Sequence, residues 1–177
     1  MLDITDRQYF QNLKRLWVHF RETGEIPPGV RPMIASSWMR SRDFHVNMTK
    51  PLRAPILSRP ELHSLQAANQ TLIDIAKPIM EKMHSLVGET KNLISLHNPD
   101  GYMLYSCGDE YYAEMETESS FSLGVCWQER YIGTNGITLA VLEDSPVQVY
   151  GAEHYCAAQH DGTCSAAPIH DRDGKII

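Results

Sequence analysis

The sequence is short of basic residues and has no long apolar run. Sixteen lysines and arginines stand against 22 aspartates and glutamates, for a formal net charge of -6. An acidic chain is a poor match for a phosphate backbone, so these residues are not expected to bind nucleic acid themselves. No stretch approaches the roughly 20 apolar residues of a membrane span, and the polar opening from Met1 to Asp6 does not read as an export signal. A glycine elbow around a serine, a metalloprotease histidine pair and a phosphate-binding loop are all missing, which removes the familiar catalytic signatures. Cysteine is sparse, at 4 residues; without an export signal the thiols are expected to be reduced, in a cytoplasm. What remains is globular in character, with 42% hydrophobic and 21% charged residues. The 177 residues suffice for one domain with a core plus some additional helix.

The front half has helical periodicity. Tyr9, Phe10, Leu13, Leu16, Trp17 and Phe20 recur at three- and four-residue spacing between a candidate N-cap, Asp6, and a stop at Gly24, predicting a helix over residues 6–23. Its aromatic stripe either packs on its own domain or pairs with a second copy. After the break at Pro27-Pro28-Gly29, Arg31-Pro32 opens a short helix to about Arg42 bearing Ile34 and Trp38. Its basic edge of Arg31, Arg40 and Arg42 is expected to be solvated or internally ion-paired. Residues 43–57 look irregular. Ser58-Arg59-Pro60-Glu61 matches a capping box, and Leu62, Leu65, Leu72, Ile75, Ile79, Met83 and Leu86 carry a helical period to Gly88. Pro78 is expected to kink or split that helix. Such a helix serves as a cover for a sheet face, a connector or a dimer element.

From Lys91 the period changes to that of strands. Residues 92–97 and 102–106 flank the turn Asn98-Pro99-Asp100-Gly101, predicting a β-hairpin, and residues 107–120 read as a loop. Gly133-Thr134-Asn135 turns into a helix over Ile137–Leu142, with Thr134 or Asn135 as its cap. Strands are expected at Pro146–Tyr150 and Cys164–His170, with a loop or short helix between them. A turn over Asp171–Gly174 then leads into a further strand. The chain stops inside that apolar strand and is expected to be a piece of a longer protein with its last strand cut short. The expected fold is α+β, an antiparallel sheet flanked by helices, with an N-terminal helical region at 1–57 and a sheet-bearing domain at 58–177.

Residues 127–169 carry most of the unusual chemistry, and three readings compete. Glu153 with His154 as an acid–base pair beside a Cys156 or Cys164 nucleophile would be catalytic, but neighbours in an extended segment point to opposite faces, and no enzyme activity is expected. His154, Cys156, His160 and Cys164 offer zinc or iron ligands, though Cys-x3-His-x3-Cys is not a standard finger spacing. A thiol switch in the same residues is the related redox reading. The preferred reading is a small-molecule pocket with no resident cofactor. Small residues Ser165, Ala166 and Ala167 would face Trp127 and Tyr131, and Cys126, Glu129, Thr134, Asn135, His154 and Cys164 would complete the lining. For any one of these residues, shaping a turn or filling a core is the simpler role.

At these residues the chain resembles a known family. W-x-E-x-x-x-G-T-N at 127–135, P-V-Q-V-Y-G-A-E-H-Y at 146–155 and T-C-S-A-A-P-I-H-D-R-D-G-K-I-I at 163–177 are similar to the GAF sensor region of sigma-54-dependent activators of the acetoin-catabolism type. R-P-M-I-A-S-S-W-M-R-S-R at 31–42 extends the similarity forward, so it runs from about Pro27 to the end. The resemblance implies a GAF-like fold and a cytoplasmic regulator that reads a small-molecule effector, with a homodimer as the expected assembly. Sigma-54 RNA polymerase and promoter DNA would be reached only through an ATPase domain and a helix-turn-helix domain outside this chain. Gly162 stands where the family commonly has tryptophan, and Cys107 and Cys126 are not family hallmarks.

Overall fold

A computed structural model of the chain describes residues 7–50, 54–87, 91–108 and 122–177. In chain order these form α1 (Arg7–Thr23), α2 (Pro32–Asp43), α3 (Arg59–Ala68), α4 (Gln70–Val87), β1 (Leu93–His97), β2 (Met103–Gly108), α5 (Glu129–Ile132), α6 (Gly136–Glu143), β3 (Val147–Tyr150) and β4 (Thr163–Ala166). Two 3-10 turns, Gly151–Glu153 and Ala157–Gln159, lie between β3 and β4. The α+β class expected from the sequence holds. None of the described helices is long and apolar enough to cross a membrane. The expected N-cap Asp6, the stop at Gly88 and residues 109–120 of the expected loop lie outside the described residues.

The chain forms two compact units, Met1–Leu52 with Gln128–Ile177, and Arg53–Trp127. The sequence-based division at residue 57 does not coincide with them, because the aromatic stripe of α1 closes on the segment after β3 rather than on a helical neighbour alone. Leu13, Trp17 and Phe20 are buried with Ile34, Trp38, Leu139, Val149 and Tyr155 in the core of the first unit. The Trp17 Nε1–H donates to the Tyr155 carbonyl at 2.9 Å, and the Trp38 Nε1–H to the Glu153 carbonyl at 2.8 Å, so both indoles bury their area without orphaning a donor. Phe20 stacks on Trp38 with centroids 5.1 Å apart. The stripe thus packs on its own domain, the first of the two readings.

The second unit is a helix pair on a hairpin. Ser58 caps α3 as the sequence predicts: the Glu61 carboxylate accepts from the Ser58 N–H at 2.8 Å and from its hydroxyl at 2.5 Å. The predicted helix does split, but at Asn69 and not at Pro78. The Asn69 amide donates to the Leu65 carbonyl at 2.8 Å and competes with the helical ladder. Pro78 sits inside α4 on its exposed side, where water can take the freed carbonyl. The hairpin pairs β1 with β2 from Leu93↔Gly108 to His97↔Met103 with an irregularity at Leu96/His97. Cys107 and Gly108, read as loop, complete β2.

Two further expectations need correction. The described strands form two two-stranded antiparallel sheets, β1–β2 and β3–β4, rather than one sheet. β4 ends at Ala166, and the rest of its predicted length leaves the ladder at Pro168, which has no N–H to give. The periodic residues of α4 are also not all core. Ala76 and Met80 are buried against Leu96 and Leu104, whereas Ile75, Ile79, Met83 and Leu86 are more than half exposed.

Gly133 links α5 to α6 with φ +79, and a Cβ there would fall 2.7 Å from the Cβ of Tyr155. Gly133→Ala therefore combines backbone strain with overpacking and is expected to cost about 2–4 kcal/mol in urea denaturation. Gly29→Ala, at φ +99 with nothing within 4 Å, should cost only the strain, about 1–2 kcal/mol. Equal losses in the two variants would contradict the close approach at Tyr155.

Candidate functional site

The polar residues singled out in the sequence are, in the first unit, mostly members of buried pairs. Glu129 is 4% exposed, and its carboxylate accepts from Arg40 Nε at 2.6 Å and Nη2 at 3.0 Å. The Ser37 hydroxyl bonds the same carboxylate and lies 2.7 Å from the Thr134 hydroxyl. Glu153 is 2% exposed and is held by Arg31 at 2.7 and 2.5 Å, while its Oε2 also accepts from the Tyr150 N–H at 2.9 Å. Arg31 further donates to the Gln148 carbonyl at 2.6 Å. Two of the three arginines on the basic edge of α2 are thus internal ion partners, as expected. Arg42 donates to the Gly24 carbonyl at 3.1 Å.

Asn135 caps α6: its Oδ1 accepts from the Thr138 N–H at 3.0 Å and its Nδ2 donates to the Gly133 carbonyl at 2.8 Å. Thr134 and Asn135 are fully buried, and Tyr131 is half-buried. His154 is buried, with Nδ1 at 2.9 Å from the Gly151 carbonyl. His160 Nε2 lies 3.1 Å from the His154 carbonyl, and its ring meets the edge of Trp17. Cys156 Sγ points to the Lys50 carbonyl at 3.5 Å. Cys164 packs on Gly136, where a Cβ would come within 2.7 Å of its Sγ. The four candidate metal ligands therefore face different partners, and among the described residues no group of three or more His, Cys, Asp or Glu is set to hold a metal ion. Burial pushes the Cys156 and Cys164 thiols up, away from the thiolate that metal binding or exchange requires. Ser165, expected to face Trp127 and Tyr131, instead accepts from Gln148 Nε2 at 2.9 Å.

Cys126 and Trp127 belong to the second unit, where they run beside the hairpin turn. The Trp127 N–H donates to the Gly101 carbonyl at 2.8 Å, Cys126 Sγ approaches the Asp100 carbonyl at 3.6 Å, and the Trp127 ring meets His97 edge-on at 6.2 Å. The turn is further fixed by Asn98, whose Oδ1 accepts from the Tyr102 N–H at 2.8 Å. Between this turn and α3 lies an open cleft of about 370 Å³, lined by Leu57, Glu61, Ser64, Leu65, Ala68, Asn98, Asp100 and Tyr102. Sequence reasoning missed it. Its one legible trace is that the capping box and the Asn-Pro-Asp-Gly turn both place carboxylates at element ends.

In class, the described residues form a mixed α+β fold of helices and small antiparallel sheets. It matches a chain in the crystal structure of the E. coli DhaR(N)–DhaL complex with a TM-score of 0.77, at 17% identity, over 82% of this chain and 49% of that one. The chain belongs to the MimR N-terminal domain family, whose model matches residues 11–177. It is similar to the acetoin dehydrogenase operon transcriptional activator AcoR of Bacillus subtilis, 32% identical over 90% of this chain and 27% of AcoR. It is also similar to the propane 2-monooxygenase operon transcriptional activator MimR of Mycolicibacterium smegmatis, 25% identical over 86% of this chain and 25% of MimR. The acetoin catabolism regulatory protein of Cupriavidus necator is 23% identical over 99% of this chain and 27% of its own length. The chain thus spans about a quarter of the length of these curated relatives.

Ser37 and Ser41 lie one turn apart on α2, and both are fully buried. Ser37 serves Glu129, whereas the Ser41 hydroxyl has no hydrogen-bond partner. Ser37→Ala is expected to cost about 1–3 kcal/mol, and Ser41→Ala to be neutral or stabilising by up to about 1 kcal/mol. Similar losses in chemical denaturation would contradict the network.

Burial pushes His154 down to about 4. The unfolded chain takes up the proton first, near pH 6.5. Stability is therefore full above that pH and falls as pH drops toward about 4, by up to about 1.4 kcal/mol per pH unit. Half-buried His97 is displaced the same way. Denaturation midpoints should drop between pH 7.5 and 5.5, and less steeply in His154→Asn; a flat profile would contradict the buried neutral ring.

Proposed function

We propose that this chain is the signal-sensing region of a bacterial sigma-54-dependent transcriptional activator, with a GAF-like fold, that binds a small organic effector and controls an ATPase domain outside this chain. The observation that carries this reading is the family match over residues 11–177, together with relatives named as operon activators. Promoter DNA and RNA polymerase are contacted by other parts of the full-length protein, which suits the net charge of -6. The working form is a homodimer, and the role is regulatory rather than catalytic.

The effector site we favour is the cleft beside α3. Its volume of about 370 Å³ lies at the small end of ligand sites. Leu57, Leu65, Ala68 and the Tyr102 ring offer an apolar floor, and the exposed Ser64 offers a hydrogen bond. The hydrogen bonds from Ser58 hold Glu61 below the usual carboxylate range, so its charge persists at neutral pH. With Asp100 on the same rim, the cleft favours neutral molecules such as short ketones, alcohols or diols over carboxylates. Cys126 and Trp127 support the turn from behind. An effector touching both α3 and the turn shifts the population toward the arrangement it binds more tightly, and only that difference in affinity does regulatory work.

A calorimetric screen of small ketones, alcohols and diols, each beside its carboxylate analogue, tests the assignment. Ala68→Trp fills the cleft and is expected to weaken binding of any hit at least about tenfold with the circular dichroism unchanged. Unchanged affinity, or tighter binding of the carboxylates, would sink the cleft as the effector site.

A further inference from the structure

The cleft beside α3 carries charge of one sign. Its lining includes two carboxylates, Glu61 in the first turn of α3 and Asp100 in the hairpin turn, and among the described residues no lysine, arginine or histidine lines it. Both carboxylates are exposed, yet neither swings freely. Glu61 Oε2 accepts from the Ser58 N–H at 2.8 Å and from its hydroxyl at 2.5 Å, which leaves Oε1 for another donor. Asp100 Oδ2 meets Asn98 Nδ2 at 3.5 Å. Carboxylates at element ends commonly do no more than cap, and Glu61 does cap α3. What sets this pair apart is that two separate elements open their charges on one cavity of about 370 Å³, with Leu57, Leu65, Ala68 and the Tyr102 ring as its apolar floor.

Such a lining ranks ligands by charge. A carboxylate is repelled by both rim groups, a neutral molecule is indifferent to them, and a cation is drawn to both. Each attraction is modest, because the rim faces water and salt screens it. The two act on the same small molecule, however, and the ring of Tyr102 adds the pull of an aromatic face on a cation. A primary alkyl amine is protonated at neutral pH, as lysine is, so it enters as an ammonium ion with three donors for carboxylate oxygens. Its short carbon chain suits the floor, and a hydroxyl on that chain suits the exposed Ser64. The complement of the whole lining is therefore a short amino alcohol: the diol considered above with one hydroxyl replaced by an ammonium group.

We infer that the cleft beside α3 takes a short primary amine or amino alcohol, as its ammonium ion, in preference to the neutral alcohol or diol of the same shape. This rests on the effector-cleft reading above and narrows its ligand class. Calorimetry of the 177-residue chain with isopropanolamine and propylene glycol, which differ in one group, tests it. In low salt the amine should bind at least about fivefold more tightly. At about 1 M salt the advantage should shrink to within about twofold, since screening then acts over about 3 Å. The double variant Glu61→Gln with Asp100→Asn should lose the advantage in low salt while its affinity for the glycol stays within about twofold. Glutamine still completes the capping box, so the variant should keep its circular dichroism. Should it misfold, the salt series on the unaltered chain decides. A glycol bound as tightly as the amine in low salt, or an advantage that survives high salt or the double variant, overturns the cationic preference; the cleft reading stands if Ala68→Trp still abolishes glycol binding. Amine binding that Ala68→Trp leaves intact overturns both. If neither compound binds at millimolar concentration the preference fails, and the wider screen of ketones and alcohols decides the cleft.

Discussion

The first unit depends on two buried carboxylates meeting two arginines of one helix. Glu129 and Glu153 are nearly inaccessible, and each is met by two guanidinium nitrogens, from Arg40 within α2 and from Arg31 at its N-cap. Removing a carboxylate from water costs several kcal/mol, and only close, hydrogen-bonded pairing offsets it. The arginines are about one-third exposed, so each pair has one foot in solvent and one in the core. Such an arrangement contributes little net stability but excludes alternatives. Sliding α2 by a single residue would carry Arg31, Ser37 and Arg40 away from their partners together and strand two charges. The indole donors of Trp17 and Trp38 enforce the same register from the apolar side.

That constraint bears on where a ligand can be read. The W-x-E-x-x-x-G-T-N segment looks like a binding motif because it is rich in polar groups. Its glutamate, threonine and asparagine are spent on Ser37, Arg40, Gly133 and Thr138. A ligand using them would have to displace bonds whose loss leaves a buried charge unpaired, typically about 3–5 kcal/mol. Few small molecules recover that much from so few atoms. The cleft in the second unit offers better terms, since Ser64 and the rim carboxylates of Glu61 and Asp100 already face solvent.

How much of this was legible followed the range of each interaction. Local rules read well: the Ser58 capping box, the Asn135 cap, the hairpin turn and the stop at Gly24 are decided within a few residues. The α2 arginines were legible as ion pairs but not by partner, because Glu129 and Glu153 lie about a hundred residues away. The division into units was not legible, since the aromatic stripe of α1 cannot announce that it closes on Tyr155. Periodicity also failed to separate the two flanks of α4. Ile75 and Ala76 are adjacent on the same arc, and only the sheet decides which one is covered. The helix break went to Asn69 because an internal hydrogen bond outcompeted the ladder, whereas proline on a solvated face loses little.

Fold and sensing impose opposite demands on the same composition. Side chains that fix the fold must be saturated and dry; side chains that read a signal must remain unsatisfied or exposed in the absence of that signal. Here the saturated polar groups cluster in the first unit, around α2 and the turns it holds. The unsaturated surfaces, the cleft beside α3 and the apolar flank of α4, both lie in the second unit, on helices joined by the single residue Asn69. A hinge that short transmits a tilt of one helix to the other with little slack. An effector wedged against α3 would therefore act on α4 by geometry, without rearranging the buried pairs that the fold cannot give up.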